Sequence, residues 1–177
     1  MNTYSWLYRF NRILVIVSLL LFNSHSVVLP ASPPKLTVLA FLNTECPISQ
    51  QYTRSLTMLY QHFKPLGVRF VAVFPLRTDS LAVIQRFRNE FNLPFSGQPD
   101  TGAQLTRRYS VRVTPEVVIT QANGQVRYQG AIDDWYVDLG KHRSKPTHNY
   151  LLEALNALLL NQLVMQPRTE AVGCLIE

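Results

Sequence analysis

Leu36 to Leu42 is apolar at every position except Thr37. An unbroken run of this length, bounded by polar residues, is what a strand buried on both faces requires, because a half-exposed strand would alternate. It stops at Asn43-Thr44-Glu45, and Cys46-Pro47 opens a segment of helical spacing. Proline suits the first helical position, where no backbone donor is missed and φ is already near the helical value. Cys46 is therefore expected at a helix N-terminus. There the free N–H groups and the positive end of the dipole favour a thiolate, and such cysteines fall from a pKa of about 8.5 into a range of roughly 3.5–7.5. By residue type alone a cysteine is a small buried hydrophobe. Its place at a strand-to-helix junction, on the C-terminal edge of a parallel sheet, is where open α/β sheets keep their sites.

The rest of the chain supplies the elements such a sheet needs. Ile48, Tyr52, Leu56, Leu59, Tyr60 and Phe63 recur at three and four residue steps, so the spacing predicts an amphipathic helix over 47–64, ending before Pro65 and Gly67. Val68 to Phe74 is a second apolar run, and strand, helix, strand in this spacing forms a right-handed βαβ unit. Asp79 or Ser80 caps a helix through Phe91 with Leu81, Ile84, Phe87 and Phe91 inward. A short extended piece, 93–95, precedes Asp100-Thr101, which starts a helix reaching Tyr109. Thr114-Pro115 opens a strand where a cis peptide is admissible, and 117–129 reads as a hairpin around Asn123-Gly124, its loop enlarged by Ala122. A loop over 132–146 leads to a last helix, 148–163, buried through its leucines at 151, 152, 155, 158 and 159.

The chain of 177 residues is long enough for one domain with a sizeable core. An apolar share of 47% against 16% charge excludes a disordered chain. Arg9 and Arg12 precede the apolar stretch 13–22, and polar 23–26 follows, which is the pattern of a secretory signal. Residues 1–26 are read as signal peptide or, if uncleaved, membrane anchor. Residues 27–34 are a proline-stiffened spacer, 35–163 the domain and 164–177 a tail. Export to the periplasm or another extracytoplasmic space removes the chain from the reducing cytosol and leaves Cys46 and Cys174 free to pair. The formal charge of +6 is scattered, with Arg107-Arg108 and 141–145 the only basic clusters, so a nucleic-acid surface is not expected.

The parallel βαβ unit, the cysteine after the first strand, the later Thr-Pro and the closing helix resemble the thioredoxin fold. TECPIS at 44–49, TPEVVI at 114–119, YQGAIDD at 128–134 and AVGCLI at 171–176 are similar to exported thioredoxin-like redoxins, related to the peroxiredoxin and alkyl hydroperoxide reductase group. The resemblance implies an α/β, thioredoxin-like fold with a central mixed sheet and helices on both faces. It implies Cys46 as the nucleophile, Pro115 facing the thiol and Thr44 as a donor to the sulfur. The implied substrates are protein thiols and disulfides or a peroxide, with no cofactor; the electron donor is not legible. Three departures limit the carry-over. Ser49 stands where a dithiol motif has its second cysteine and cannot resolve a mixed disulfide. Asn43 stands where a peroxidase has threonine, and Pro115 where its arginine is expected, leaving Arg112 as the nearby substitute.

Cys174 has two readings: a resolving cysteine on a mobile tail, or one half of a permanent staple in a non-enzymatic binding or metallochaperone module. Glu45 and Glu116 are read as exposed strand-end carboxylates rather than proton shuttles. Asp133, Asp134, His142 and His148 have donor chemistry for a cation but no compact ligand spacing, so no metal is expected. Trp135 and Tyr136 fit either an exposed rim at the active edge or loop packing.

Overall fold

The computed structural model describes residues 36–176. A five-stranded sheet has the order β3-β2-β1-β5-β6. Its strands are β1 Leu36–Phe41, β2 Val68–Phe74, β3 Ser96–Pro99, β5 Glu116–Gln121 and β6 Val126–Gly130. The first three are parallel, and β5 runs antiparallel to both β1 and β6. The sheet is mixed, as expected, because a helical crossover links β1 to β2 whereas a hairpin links β5 to β6.

Alternation along the central strands builds two cores. Val38, Ala40 and Leu42 of β1 and its extension join Phe70, Ala72, Phe74, Val117 and Ile119 on one face. This face is covered by α1 Pro47–Phe63, α2 Leu81–Glu90 and α4 Tyr150–Leu159. Leu39, Phe41, Val71, Val73 and Val118 form a smaller core on the other face, under Leu105 and Tyr109 of α3 Gln104–Tyr109 and Ile176 of the tail. Helices on both faces explain why β1 and β2 read as continuous apolar runs.

Several expectations shift. Ser80 caps α2, its hydroxyl accepting from Val83 N at 3.3 Å, and Leu81 stands outside the core at 68% exposure. The edge strand β3 begins one residue after the expected 93–95, which instead sends buried Leu93 and Phe95 into the core. The helix after Asp100 starts with a 3-10 turn, Thr101–Ala103, and α4 is shorter at both ends than the expected 148–163, though it holds all five of its leucines. In the hairpin loop Gln121 N bonds Gln125 O at 2.9 Å, so Ala122 does enlarge the turn. The loop over 132–146 contains a small ribbon, β7 Tyr136–Asp138 and β8 Lys141–His142. Tyr136 is buried and both Tyr136 and Trp135 pack on Tyr52, so loop packing accounts for them. The signal or anchor reading of 1–26 lies outside the described residues; among these no helix is long and apolar enough to cross a membrane.

The tail is held at two places. Near its start, Gln129 N bonds Pro167 O at 3.0 Å and Thr169 N bonds Gln129 O at 3.1 Å, while the Thr169 hydroxyl accepts from Ala131 N at 3.0 Å. At its end, β9 Cys174–Leu175 pairs antiparallel with β4 Val113–Thr114, and Ile176 N bonds Arg112 O at 3.0 Å.

Candidate redox site

Cys46 is the N-cap residue of α1, with extended backbone and Pro47 at the first helical position. Asn43, noted in the sequence only as standing at a peroxidase's threonine position, sets the turn that puts it there. Its side-chain Oδ1 accepts from Glu45 N at 2.8 Å, and its carbonyl accepts from Cys46 N at 3.2 Å. Asn43 N donates to the Ser49 hydroxyl at 3.3 Å, and Gln50 Nε2 to Thr44 O at 2.9 Å, tying loop and first helical turn together. The available signal was the propensity of asparagine to bond its own backbone two residues on.

Cys46 forms a disulfide with Cys174, with Cα atoms 6.2 Å apart. The Thr114–Pro115 bond is cis, and the Thr114 carbonyl lies 3.3 Å from Cys46 Sγ. Paired with sulfur, Cys46 has no proton to donate there; a reduced thiol would find this carbonyl as an acceptor. Two influences on the sulfur oppose each other: the helix N-terminus favours a thiolate, and the negative end of the carbonyl dipole favours the thiol. Cys46 is 1% exposed, whereas Cys174 is half-buried. Cys46, Pro115 and Cys174 thus meet at one point.

Thr44 does not join them. Its hydroxyl donates to Asp79 Oδ1 at 2.5 Å instead of to the sulfur. Asp79, expected at a helix cap, is 1% exposed, its other oxygen has no hydrogen-bond partner among the described residues, and burial pushes its carboxyl up. Glu45 is exposed, as expected. Glu116 is not: it is 8% exposed, accepts from Gln129 Nε2 at 2.7 Å and is pushed up by burial, against the Gln129 hydrogen bond and the Arg168 charge. Being next to Pro115 on a strand covered by α3 and the tail is what buries it, and no local pattern encodes that cover. Arg112 is exposed and supplies its carbonyl to the tail.

The two carboxylates with donor chemistry for a cation are engaged in hydrogen bonds within the protein. Asp133 accepts from the Tyr52 hydroxyl and Trp135 N, and Asp134 from Thr147 and His148 amides at 2.7 and 2.9 Å. Among the described residues no cluster of three or more His, Cys, Asp or Glu could hold a metal.

A disulfide between a helix-capping cysteine and a strand paired beside a cis-proline, on this sheet order, defines a thioredoxin-like protein. Residues 22–129 match the AhpC/TSA family, and the chain belongs to that family. Among solved structures it is similar to an uncharacterized conserved protein from Geobacillus kaustophilus, with TM-score 0.71 and 24% identity over 81% of this chain and 77% of that one. A hypothetical protein from Sinorhizobium meliloti gives TM-score 0.71 and 19% identity over 81% and 80%. A candidate thioredoxin from Neisseria meningitidis gives 0.56 and 17% over 72% and 77%. No curated protein matches the sequence.

Proposed function

We propose that the chain is an extracytoplasmic thiol–disulfide oxidoreductase whose working pair is Cys46 and Cys174. The observation that carries this reading is the disulfide: it joins a helix-capping cysteine to a strand laid against the residue before Pro115. The basic and apolar N-terminal pattern supports export, with the same segment as a membrane anchor if it is retained.

In the reducing direction, a Cys46 thiolate attacks a protein disulfide, forming a mixed disulfide and expelling one substrate thiolate. Cys174 then attacks Cys46 Sγ, releasing the second substrate thiol and closing the intramolecular disulfide. The substrate gains two electrons and two protons, and the pair loses them. Regeneration requires an external dithiol. Its thiolate attacks the sulfur of Cys174, the less buried of the two cysteines, and expels Cys46 at the helix N-terminus, where the leaving thiolate is favoured. The donor's second thiol then frees Cys174. Pro115 contributes an imide without N–H and shapes the surface against which the sulfurs exchange.

Alkylation of the reduced full chain across pH, followed by mass, tests the assignment. Cys46 is expected to react as a thiolate below the ordinary thiol range of about 8.5; titration at or above that value overturns it. Membership of the AhpC/TSA family favours a second reading, peroxide reduction. There a hydroperoxide oxidises Cys46 to a sulfenic acid with release of an alcohol or water, and Cys174 condenses with it to give the disulfide and water. Oxidation by stoichiometric peroxide no faster than that of free cysteine eliminates this second activity.

A further inference from the structure

We infer the substrate class of the Cys46 site from the segment that occupies it: an extended chain of pattern apolar, glycine, cysteine, any residue, apolar, paired antiparallel along β4 in the place that β9 holds. This rests on the oxidoreductase reading above. Cys46 is 1% exposed with the Cys174 sulfur bonded to it, and the Thr114 carbonyl stands 3.3 Å from its Sγ on another side. A substrate sulfur that bonds Cys46 therefore arrives by the path that Cys174 takes. Its backbone then lies along Val113–Thr114, which among the described residues pair with no strand other than β9.

The tail displays what that path accepts. A Cβ on Gly173 would stand 3.1 Å from Pro115 N and closer still to the Thr114 carbonyl, and these are backbone atoms that no rotamer change moves. Such close approach selects glycine before the cysteine. One position earlier, Val172 packs against the larger core. Two positions after the cysteine, Ile176 packs against the smaller core, its N–H bonded to Arg112 O at 3.0 Å. Leu175 between them is 71% exposed, so that position carries no selection. In strand addition the main-chain bonds supply affinity and the pocketed side chains supply specificity. Capture is an exchange of occupants: the tail leaves β4 and the substrate segment takes its edge. The Cys46 thiolate attacks the substrate sulfur, the Cys46–substrate bond forms as the substrate's own disulfide breaks, and the second substrate thiolate leaves with the electron pair. The segment must be extended and free of other strand partners, which suits loops and unfolded chains and excludes disulfides held inside regular structure.

The test uses the full chain carrying Cys174→Ser, in which capture by Cys46 halts at the mixed disulfide. A hexapeptide with the sequence of residues 171–176, its cysteine joined to 2-thiopyridine, is mixed with the protein and the released pyridinethione is followed by absorbance. Three further peptides replace the glycine by alanine, both the valine and the isoleucine by serine, or the leucine by serine. The parent peptide is expected to react at least tenfold faster than the alanine peptide and the doubly substituted one, and at the same rate as the leucine-substituted one. Ile176→Asp, added to Cys174→Ser, weakens the tail's own hold on β4 and should speed capture of the parent peptide. The reduced wild-type chain, which releases each peptide as its intramolecular disulfide closes, should rank them in the same order, so a loss of stability in the variants leaves the ranking readable. Equal rates for the glycine and alanine peptides, or no gain from Ile176→Asp, overturns the substrate class, while exchange of Cys46 with 2,2′-dithiodipyridine leaves the oxidoreductase reading standing. Failure of Cys46 to exchange even with that small disulfide overturns both.

Discussion

Gly173 lies against the Thr114 carbonyl so closely that a Cβ built on it would be 2.3 Å from that oxygen and 2.6 Å from its carbon. Both contacts are backbone, so no side-chain rotation relieves them. The residue before Cys174 must be glycine if the tail is to pair with β4 and bring its sulfur to Cys46.

Gly173→Ala is therefore expected to lift β9 from β4. Hydrogen exchange should show the Ile176 amide, bonded to Arg112 O, losing protection, while amides in β1 and β2 keep theirs. Disulfide reduction by dithiothreitol should become faster. Unchanged protection at Ile176 would mean that the clash is absorbed elsewhere.

Cys174→Ser separates a working pair from a staple. The disulfide closes a sequence separation of 128 residues, for which the chain-entropy relation gives an upper figure of about 5 kcal/mol. Urea unfolding of the variant should show a loss up to that size. If the pair is catalytic, Cys46 in the variant should also accumulate a mixed disulfide with a protein substrate, since no second thiol releases it. A stability loss with no such adduct assigns the disulfide a structural role.

Glu116→Gln should change how stability depends on pH. Burial raises the Glu116 carboxyl in the fold above its unfolded value, so the native state holds its proton more tightly. That contribution is present below the ordinary range of about 4.3 and is lost as pH climbs through the raised folded value. The amide of glutamine can still accept from Gln129 and carries no charge to desolvate. Unfolding midpoints should fall less steeply from acid to neutral pH in the variant, and superimposable profiles would contradict the account.

Asp100 behaves in the opposite sense. Burial opposes its ionisation, but the Thr106 hydroxyl at 2.6 Å and the Leu105 and Thr106 amides at 2.9 and 2.7 Å outweigh it and lower the carboxyl. Its stabilisation is present above about 3.9 and is lost as pH drops through the depressed folded value. Asp100→Ala removes the donors' partner at the start of α3 and should cost about 0.5–2 kcal/mol at neutral pH by chemical denaturation, with the difference shrinking in acid.

What the sequence determined by itself was local and periodic. The apolar run 36–42, the helical spacing from Ile48 to Phe63 and the second run 68–74 fixed β1, α1 and β2, because burial on two faces or on one stripe leaves a pattern within a short window. Cys46-Pro47 marked the helix start for the same reason, and Thr114-Pro115 the strand entry. What only the tertiary structure decided depends on residues far apart in the chain. Glu116 looks like any strand-end glutamate until the tail and α3 cover it. Thr44 is three residues beyond Phe41, the end of β1, and 35 from Asp79, yet its hydroxyl is settled by the second of these. The tail, with no periodicity beyond the last helix, gave no sign that Thr169 would bond Ala131 or that Gly173 would fit beneath Thr114. Backbone pairing at an edge is specified by space and free N–H and C=O groups rather than by side-chain pattern, so it becomes visible only when the two segments are brought together.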